Sequence, residues 1–319
     1  MRLSLLLFSI LSLATAAVPV WIDTDPSVAR GGHEVDDGFA LIQAFHSSAL
    51  DVRGVSVVFG NAPLHEGMQI GRRLLQEFGP PGLALTSGAV SAADLGVETE
   101  ASRALAAALR QEKLVILMLG PATNVATVLR IHPELRSRIS KLVAVAGRRP
   151  DQRFSAKPGG KAFRDFNFEL DAPAFQVLLD AKIPLVLAPW EISSKVWLRQ
   201  GDLDGLRSSN PALAWLLDAS QDWLSFWKTN LESDGFNPFD TLAVGYAISP
   251  KGFRCARLPV RIEQRPDDTV SNNPPASDAP LKPYLLLGSS IRSSQSALYC
   301  SEAPRSFRTQ LLELLVQRD

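Results

Sequence analysis

Asp23, Asp25, Asp36 and Asp37 crowd a short stretch near the amino terminus. Asp23-Thr24-Asp25-Pro26 closes the apolar run Val20-Trp21-Ile22, and Asp36-Asp37 opens Gly38-Phe39-Ala40-Leu41. Residues two apart on a strand leave it on the same side, so Asp23 and Asp25 share a face. Asp36 and Asp37 fall in what reads as the first turn of a helix, where the partial positive charge of the amino terminus favours acids. Any one of them is explained as a cap or a surface acid. Four carboxylates at one strand end, however, repel one another unless something neutralises them, and a hard cation with oxygen ligands, Ca²⁺ or Mg²⁺, is the simplest neutraliser. A later acid, Asp240 in Asn237-Pro238-Phe239-Asp240, also sits at a helix start.

The elements that must hold these acids alternate. Val20–Ile22, Val52–Phe59, Leu83–Thr86, Leu114–Leu119, Leu142–Ala146 and Pro184–Ala188 read as strands. Leu64–Phe78, Glu98–Glu112, Pro121–Leu129 and Ala172–Ala181 read as helices between them. This alternation predicts an α/β fold with an open, mainly parallel, Rossmann-like sheet and helices on both faces. Ligands in such sheets bind at the carboxyl ends of strands. Asp23 and Asp25 lie at one such end, Leu119-Gly120 and Gly147 at others. Asn210-Pro211 begins a helix on which Leu213, Leu216, Leu217, Ser220, Leu224, Trp227 and Leu231 fall on one stripe. Trp215, Trp223 and Trp227 lie in it, either as core packing or with one ring offered to a pocket as a stacking surface. Thr241–Ile248 reads as a helix, Arg257–Gln264 and Tyr284–Leu287 as strands, Arg265–Pro283 as an exposed loop and Ser306–Gln317 as a terminal helix.

Bulk properties bound the function. The chain has 319 residues and 33 residues of each charge sign, so its formal net charge is zero and a general polyanion binder is disfavoured, with no nucleic-acid partner expected. No G-x-G-x-x-G or G-x-x-x-x-G-K-[ST] follows a strand, which argues against dinucleotide and P-loop enzymes. Met1-Arg2, the apolar Leu3–Leu13 and the small residues Ala14-Thr15-Ala16-Ala17 read as a signal peptide over residues 1–17, followed by a single domain over 18–319. The mature protein is then exported, with no membrane association after cleavage; an uncleaved anchor is the alternative. Cys255 and Cys300 read equally as a disulfide or as two buried thiols.

The motifs resemble those of the nucleoside hydrolase family. Asp23-Thr24-Asp25-Pro26 with Asp36-Asp37-Gly38-Phe39-Ala40-Leu41 resembles its amino-terminal signature, Asp-x-Asp-Pro-Gly-x-Asp-Asp-Ala-x-Ala-Leu. Val58-Phe59-Gly60-Asn61, Leu119-Gly120-Pro121-Ala122-Thr123-Asn124, Asp165-Phe166-Asn167 through Asp171-Ala172-Pro173-Ala174, and Phe239-Asp240 resemble four further family segments in the same order. The resemblance covers roughly residues 18 to 250. It implies an open α/β sheet, one bound Ca²⁺ and hydrolysis of the N-glycosidic bond of small-molecule ribonucleosides, and it suggests homodimers or homotetramers. Carried over by position, Asp25, Asp37, the carbonyl of Leu119 and Asp240 match calcium ligands. Asp36, Asn61, Asp165 and Asn167 match sugar-contacting positions. Asp25 is the candidate base, taking a proton from water as the ribosyl–nitrogen bond breaks and oxocarbenium charge develops on the sugar.

The chain departs from the pattern where the leaving base is handled. Ten residues, Pro26 to Val35, separate Asp25 from Asp36 where the family pattern has three, and the insert contains Gly31-Gly32-His33-Glu34. Asp165 replaces a Glu. Gly159 falls where a sugar-contacting Asn is expected. Phe239 replaces a His that helps protonate the leaving base, and Phe has no proton to give, so activation comes from elsewhere or the leaving group needs little help. Two other readings remain open on the residues alone. A haloacid-dehalogenase-like phosphatase would use Asp23 as nucleophile, and a non-catalytic exported binder would keep the metal and the ribose without turnover.

Overall fold

The computed structural model describes residues 16–28, 34–270 and 279–317. The proposed signal peptide, His33 and the glycines beside it, and residues 271–278 of the expected loop lie outside them, apart from Ala16 and Ala17. No helix among the described residues is long and apolar enough to cross a membrane.

In chain order the first half comprises β1 (Val18–Thr24), α1 (Asp36–Phe45), β2 (Leu50–Val57), α2 (Leu64–Phe78), β3 (Leu85–Ser87), α3 (Glu100–Gln111), β4 (Leu114–Met118), α4 (Thr123–Ile131) and β5 (Ile139–Ala144). Then come α5 (Phe166–Leu170), α6 (Ala172–Asp180), β6 (Leu185–Leu187), α7 (Trp190–Ser193), β7 (Leu198–Arg199), α8 (Gln200–Ser209), α9 (Ala214–Asn230), β8 (Gly235–Phe236) and α10 (Phe239–Ile248). The chain closes with β9 (Arg254–Pro266), β10 (Leu281–Leu287), β11 (Ser296–Glu302) and α11 (Phe307–Val316).

Nine strands form one sheet in the order β10-β9-β11-β6-β5-β4-β1-β2-β3. From β11 to β3 every pairing is parallel; β9 runs antiparallel to β11 and to β10. The chain lays β1, β2 and β3 outward in one direction, then returns to place β4 on the other side of β1. The crevice between the carboxyl ends of β1 and β4 is therefore the switch point of the sheet, where open α/β sheets take their ligands. The sheet is apolar on both faces. One core gathers Ile22, Phe39, Leu41 and Leu117 with the residues of α9 and α10; the other gathers Trp21, Leu105, Ile116, Val125 and Phe175. That two-sided burial explains the unbroken apolar runs of the central strands.

Several elements differ from the sequence expectation. The strand β11, inserted between β6 and β9, was not expected, nor were α8 and the two-stranded β7–β8 ribbon. A short 3₁₀ turn, Pro211–Leu213, precedes α9, and the Asn210 side chain caps it by accepting the Ala212 N–H at 3.2 Å. The segment Arg265–Pro283, expected as an exposed loop, is partly strand, and Asp267 and Asp268 are buried. The cause is charge: Asp268 pairs with Arg148 at 2.8 Å, and Lys282 reaches Asp267, Asp268 and Glu169. Buried charges persist only when paired. Cys255 and Cys300 are opposite one another in the β9–β11 register and are joined as a disulfide, which resolves the open choice between bond and free thiols.

Candidate active site

The acids sit at the switch point because β1 ends there. The α1 helix begins at Asp36 and is buried along nearly its whole length, so its first-turn acids are carried into the interior with it. Gly38 makes that burial possible: a Cβ there would lie 2.9 Å from Cδ1 of Leu216 on α9. The α10 helix starts at Phe239, which brings Asp240 to the same place from more than two hundred residues along the chain.

Oxygens of Asp36, Asp37 and Asp240 all lie within 4.8 Å of one another, and all three residues are buried. The Asp240 N–H donates to Asp36 Oδ2 at 3.2 Å. Asp37 Oδ1 accepts from the Thr24 hydroxyl and from the Asp25 N–H at 3.2 Å. Asp25 stands beside this trio, its Oδ2 accepting the Asn61 N–H at 2.9 Å. Two glycines press against its carboxylate: a Cβ at Gly60 would fall 1.8 Å from Asp25 Oδ2, and one at Gly120 would fall 2.7 Å from Oδ1. The Leu119 carbonyl accepts from Asn167 Nδ2 at 2.6 Å. Asp165 Oδ2 accepts the Gly147 N–H at 2.8 Å, and Asn61 Nδ2 donates to Glu34 Oε2 at 3.1 Å. Every sequence-predicted site residue except Asp37 and Asp25 lines one cavity of ≈ 60 Å³.

Asp23 stands apart. Its Oδ1 accepts from the Ser56 hydroxyl and from Asn124 Nδ2 at 2.8 Å, while Trp21 Nε1 donates to Ser56 at 2.8 Å. The sharing of one strand face by Asp23 and Asp25 therefore does not place both in the cluster. A carboxylate so enclosed is a structural tie between β1, β2 and α4 and is poorly placed to attack a substrate, which removes the support for a phosphatase nucleophile.

Electrostatics give the cluster its character. Burial, reinforced by Asp37, holds the Asp25 carboxyl well above the usual carboxylate range. Burial followed by Glu34 and Asp37 does the same to Asp36, and burial followed by Asp36 and Asp37 does it to Asp240. Burial lifts Glu34 to about 7 and Asp37 to about 6, the latter restrained by its hydrogen bond from Thr24. Asp165 is lifted to about 6 by burial even though Arg148 opposes the rise. Asp25 Oδ1, Asp36 Oδ1 and Asp37 Oδ2 are buried without a hydrogen-bond partner. Buried acceptors seldom stay unpaired. Orphaned carboxylate oxygens from three residues facing a shared charge problem fit a hard divalent cation, which bonds to oxygen and cancels the repulsion in one step.

Sequence reasoning missed the fifth carboxylate, Glu34, although its place two residues before Asp36 was a usable signal. It also missed the aromatic wall. Phe163 meets Trp190 edge-on at 4.7 Å, and Phe239 lies 5.6 Å from Trp190 and 6.2 Å from Trp227. Beyond this wall a second cavity of ≈ 390 Å³ opens, lined in part by Trp223, Phe226 and Trp227. Trp223 and Trp227 thus pack in the core and also line this cavity.

The pattern of the inosine-uridine preferring nucleoside hydrolases matches residues 20–273. The chain belongs to that family. The family is metal-dependent, and this chain carries a buried acidic cluster of Asp36, Asp37 and Asp240 that could hold an ion. The pyrimidine-specific ribonucleoside hydrolase RihA of Klebsiella pneumoniae is 24% identical over 276 residues, 77% of this chain and 85% of that protein. Its counterpart in Salmonella paratyphi B is 28% identical over 223 residues, 61% of this chain and 68% of that protein. Among solved structures, a plant nucleoside hydrolase superposes with a TM-score of 0.77 at 18% identity, covering 94% of this chain and 99% of that one. The purine-preferring ribonucleoside hydrolase from Gardnerella vaginalis gives 0.72 at 17% identity, covering 93% and 98%. Those structural likenesses confirm the fold of this family member. The base preferences in the names differ, one pyrimidine and one purine, so similarity alone does not choose a base.

Proposed function

We propose that the chain is a calcium-dependent hydrolase that cleaves the N-glycosidic bond of ribonucleosides to ribose and free base. The observation that carries this reading is the convergence of Asp25, Asp36, Asp37 and Asp240 on the switch point, with orphaned oxygens on three of them. Asp25, Asp37, Asp240 and the Leu119 carbonyl would hold the ion; Asp36, Asn61, Asp165 and Asn167 would hold ribose hydroxyls. When bound, Ca²⁺ supplies positive charge that fixes a sugar diol and acidifies a water. Asp25 then takes the water proton, the glycosidic electron pair leaves with the base, and the surrounding carboxylates stabilise positive charge on the sugar. The aromatic wall of Phe163, Trp190 and Phe239 keeps bulk water from the reacting carbon.

Export is part of the proposal. The leader-like composition of the first seventeen residues supports it, and so does the Cys255–Cys300 disulfide, since such bonds persist in oxidising compartments.

The test is chromatography of ribonucleosides incubated with the purified protein. Base and ribose are expected in the presence of Ca²⁺, to vanish with chelator and to return on adding the ion. Tight ribose binding with no base release from any ribonucleoside would overturn the enzymatic reading in favour of a binder. Full activity in Asp25→Ala would overturn the assignment of the base.

A further inference from the structure

We propose that Arg164 is a catalytic residue, holding the leaving base as an anion in place of the proton donor that Phe239 cannot be. The inference rests on the hydrolase reading above. A ribosyl–nitrogen bond breaks heterolytically, so negative charge develops on the departing nitrogen. That charge must be quenched by a proton or by a fixed cation. Phe239, where a His would give the proton, is packed between Trp190 and Trp227 and offers neither.

Two cavities meet at this point. The inner one is walled by Asp36, Asp165, Asp240 and Asn167, residues suited to a sugar; the outer one is walled by Trp223, Phe226 and Trp227, surfaces suited to a flat ring. Glu34, Phe163, Arg164, Phe166 and Phe239 belong to both walls. Among those shared residues Arg164 is the only cation, and no His lines either cavity among the described residues. A nucleoside with its ribose in the inner cavity and its base in the outer one puts the scissile bond at this shared wall. Glu34 is engaged by Asn61 and stands within the acidic cluster. Arg164 is tied only loosely: its one ion-pair contact among the described residues is Glu169 at 4.0 Å, and Glu169 already holds Lys282 at 2.9 Å and Arg148 at 3.2 Å. A guanidinium stays charged at any working pH and matches planar oxygen acceptors. The bases favoured are therefore those that spread the leaving charge onto exocyclic oxygens. The step balances: the carbon–nitrogen bond breaks with its electron pair going to the base, water oxygen bonds to the anomeric carbon, a carboxylate takes the water proton, and the base anion is protonated by solvent on release.

The experiment compares kcat/KM for an oxo-substituted nucleoside such as uridine or inosine with that for 4-nitrophenyl riboside, whose phenolate leaves unaided near neutral pH. Arg164→Gln is expected to lose about 100-fold on the nucleoside, the scale of one preorganised donor at a developing anion, and less than about fivefold on the nitrophenyl substrate. Arg164→Lys, which keeps the charge, is expected to recover part of the nucleoside rate. The side chain is more than half exposed, so unfolding temperatures of the variants should match the wild type. Equal losses on both substrates, or no loss on the nucleoside, would overturn the proposal. Absence of turnover by the wild type on either substrate would overturn the hydrolase reading itself, and this inference with it.

Discussion

Removing the cation should invert the pH dependence of stability. In the cation-free protein the cluster is a set of buried acids whose native pKa values lie above their unfolded values. For such a group the folded state binds more protons than the unfolded one, so its contribution is fullest below the unfolded pKa and is lost as pH rises through the native pKa. Asp37 moves from 3.8 to about 6. Between pH 5 and pH 7.5 that shift alone costs on the order of 1 kcal/mol of folding stability. Asp25, Asp36 and Asp240 act in the same direction. A chain of this length unfolds with an entropy of roughly 0.6 kcal/mol per degree, so the Asp37 share corresponds to about 2 °C.

With Ca²⁺ present the slope should reverse. Protons now compete with the ion for the same oxygens, so affinity and stabilisation both grow as pH rises. At an ion concentration a hundredfold over its dissociation constant the native state gains about 2.7 kcal/mol, close to 4 °C. The assay is intrinsic tryptophan fluorescence during thermal unfolding, at pH 5 and pH 7.5, with chelator or with Ca²⁺. Unfolding temperature should fall with pH in chelator and rise with pH in Ca²⁺. Parallel slopes, or no response to Ca²⁺ at pH 7.5, would refute the view that these acids cage an ion. A parallel series with Mg²⁺ decides between the two hard cations, because Mg²⁺ demands a tighter octahedral set of ligands.

Other perturbations read the same site from different sides. Gly60→Ala drives a methyl into Asp25 Oδ2 and should cut base release by a hundredfold or more while circular dichroism stays unchanged; a mild effect would mean that the Asp25 position is not critical. Asp240→Asn should abolish the calcorimetrically measured heat of Ca²⁺ binding, and retention of full affinity would remove Asp240 from the ligand set. Phe239→His should speed release of bases that leave poorly and restore part of the Arg164→Gln loss, measured as kcat/KM on the double variant. Cys255→Ser should lower stability by about 4 kcal/mol, given a closed loop of 45 residues, and a denaturant titration would read it directly.

How much of this was legible in the sequence depended on where each signal was stored. The α2 helix was read to its ends because its apolar stripe is local and Gly79-Pro80 stops it. The central strands were legible because two-sided burial writes itself as a continuous apolar run. By contrast β11 contains only Ala297 to Cys300 as an apolar core, and it is a strand because β9 and β6 flank it. The same holds for α8, whose Gly201 and Gly205 weaken local preference while burial of Leu203 and Leu206 and the Arg308–Asp202 pair hold it in place. The site divides along the same line. Its acids were visible because clustered carboxylates next to an apolar strand make no sense as core, and local sequence that conflicts with the fold it sits in marks function. The aromatic wall and Arg164 gave no such conflict, since Phe163, Trp190 and Phe239 are each unremarkable core residues alone. Only their meeting across three distant segments turns them into one side of a pocket. That asymmetry is why the candidate ion and sugar residues could be named from motifs, while the residues proposed to handle the leaving base had to wait for the fold.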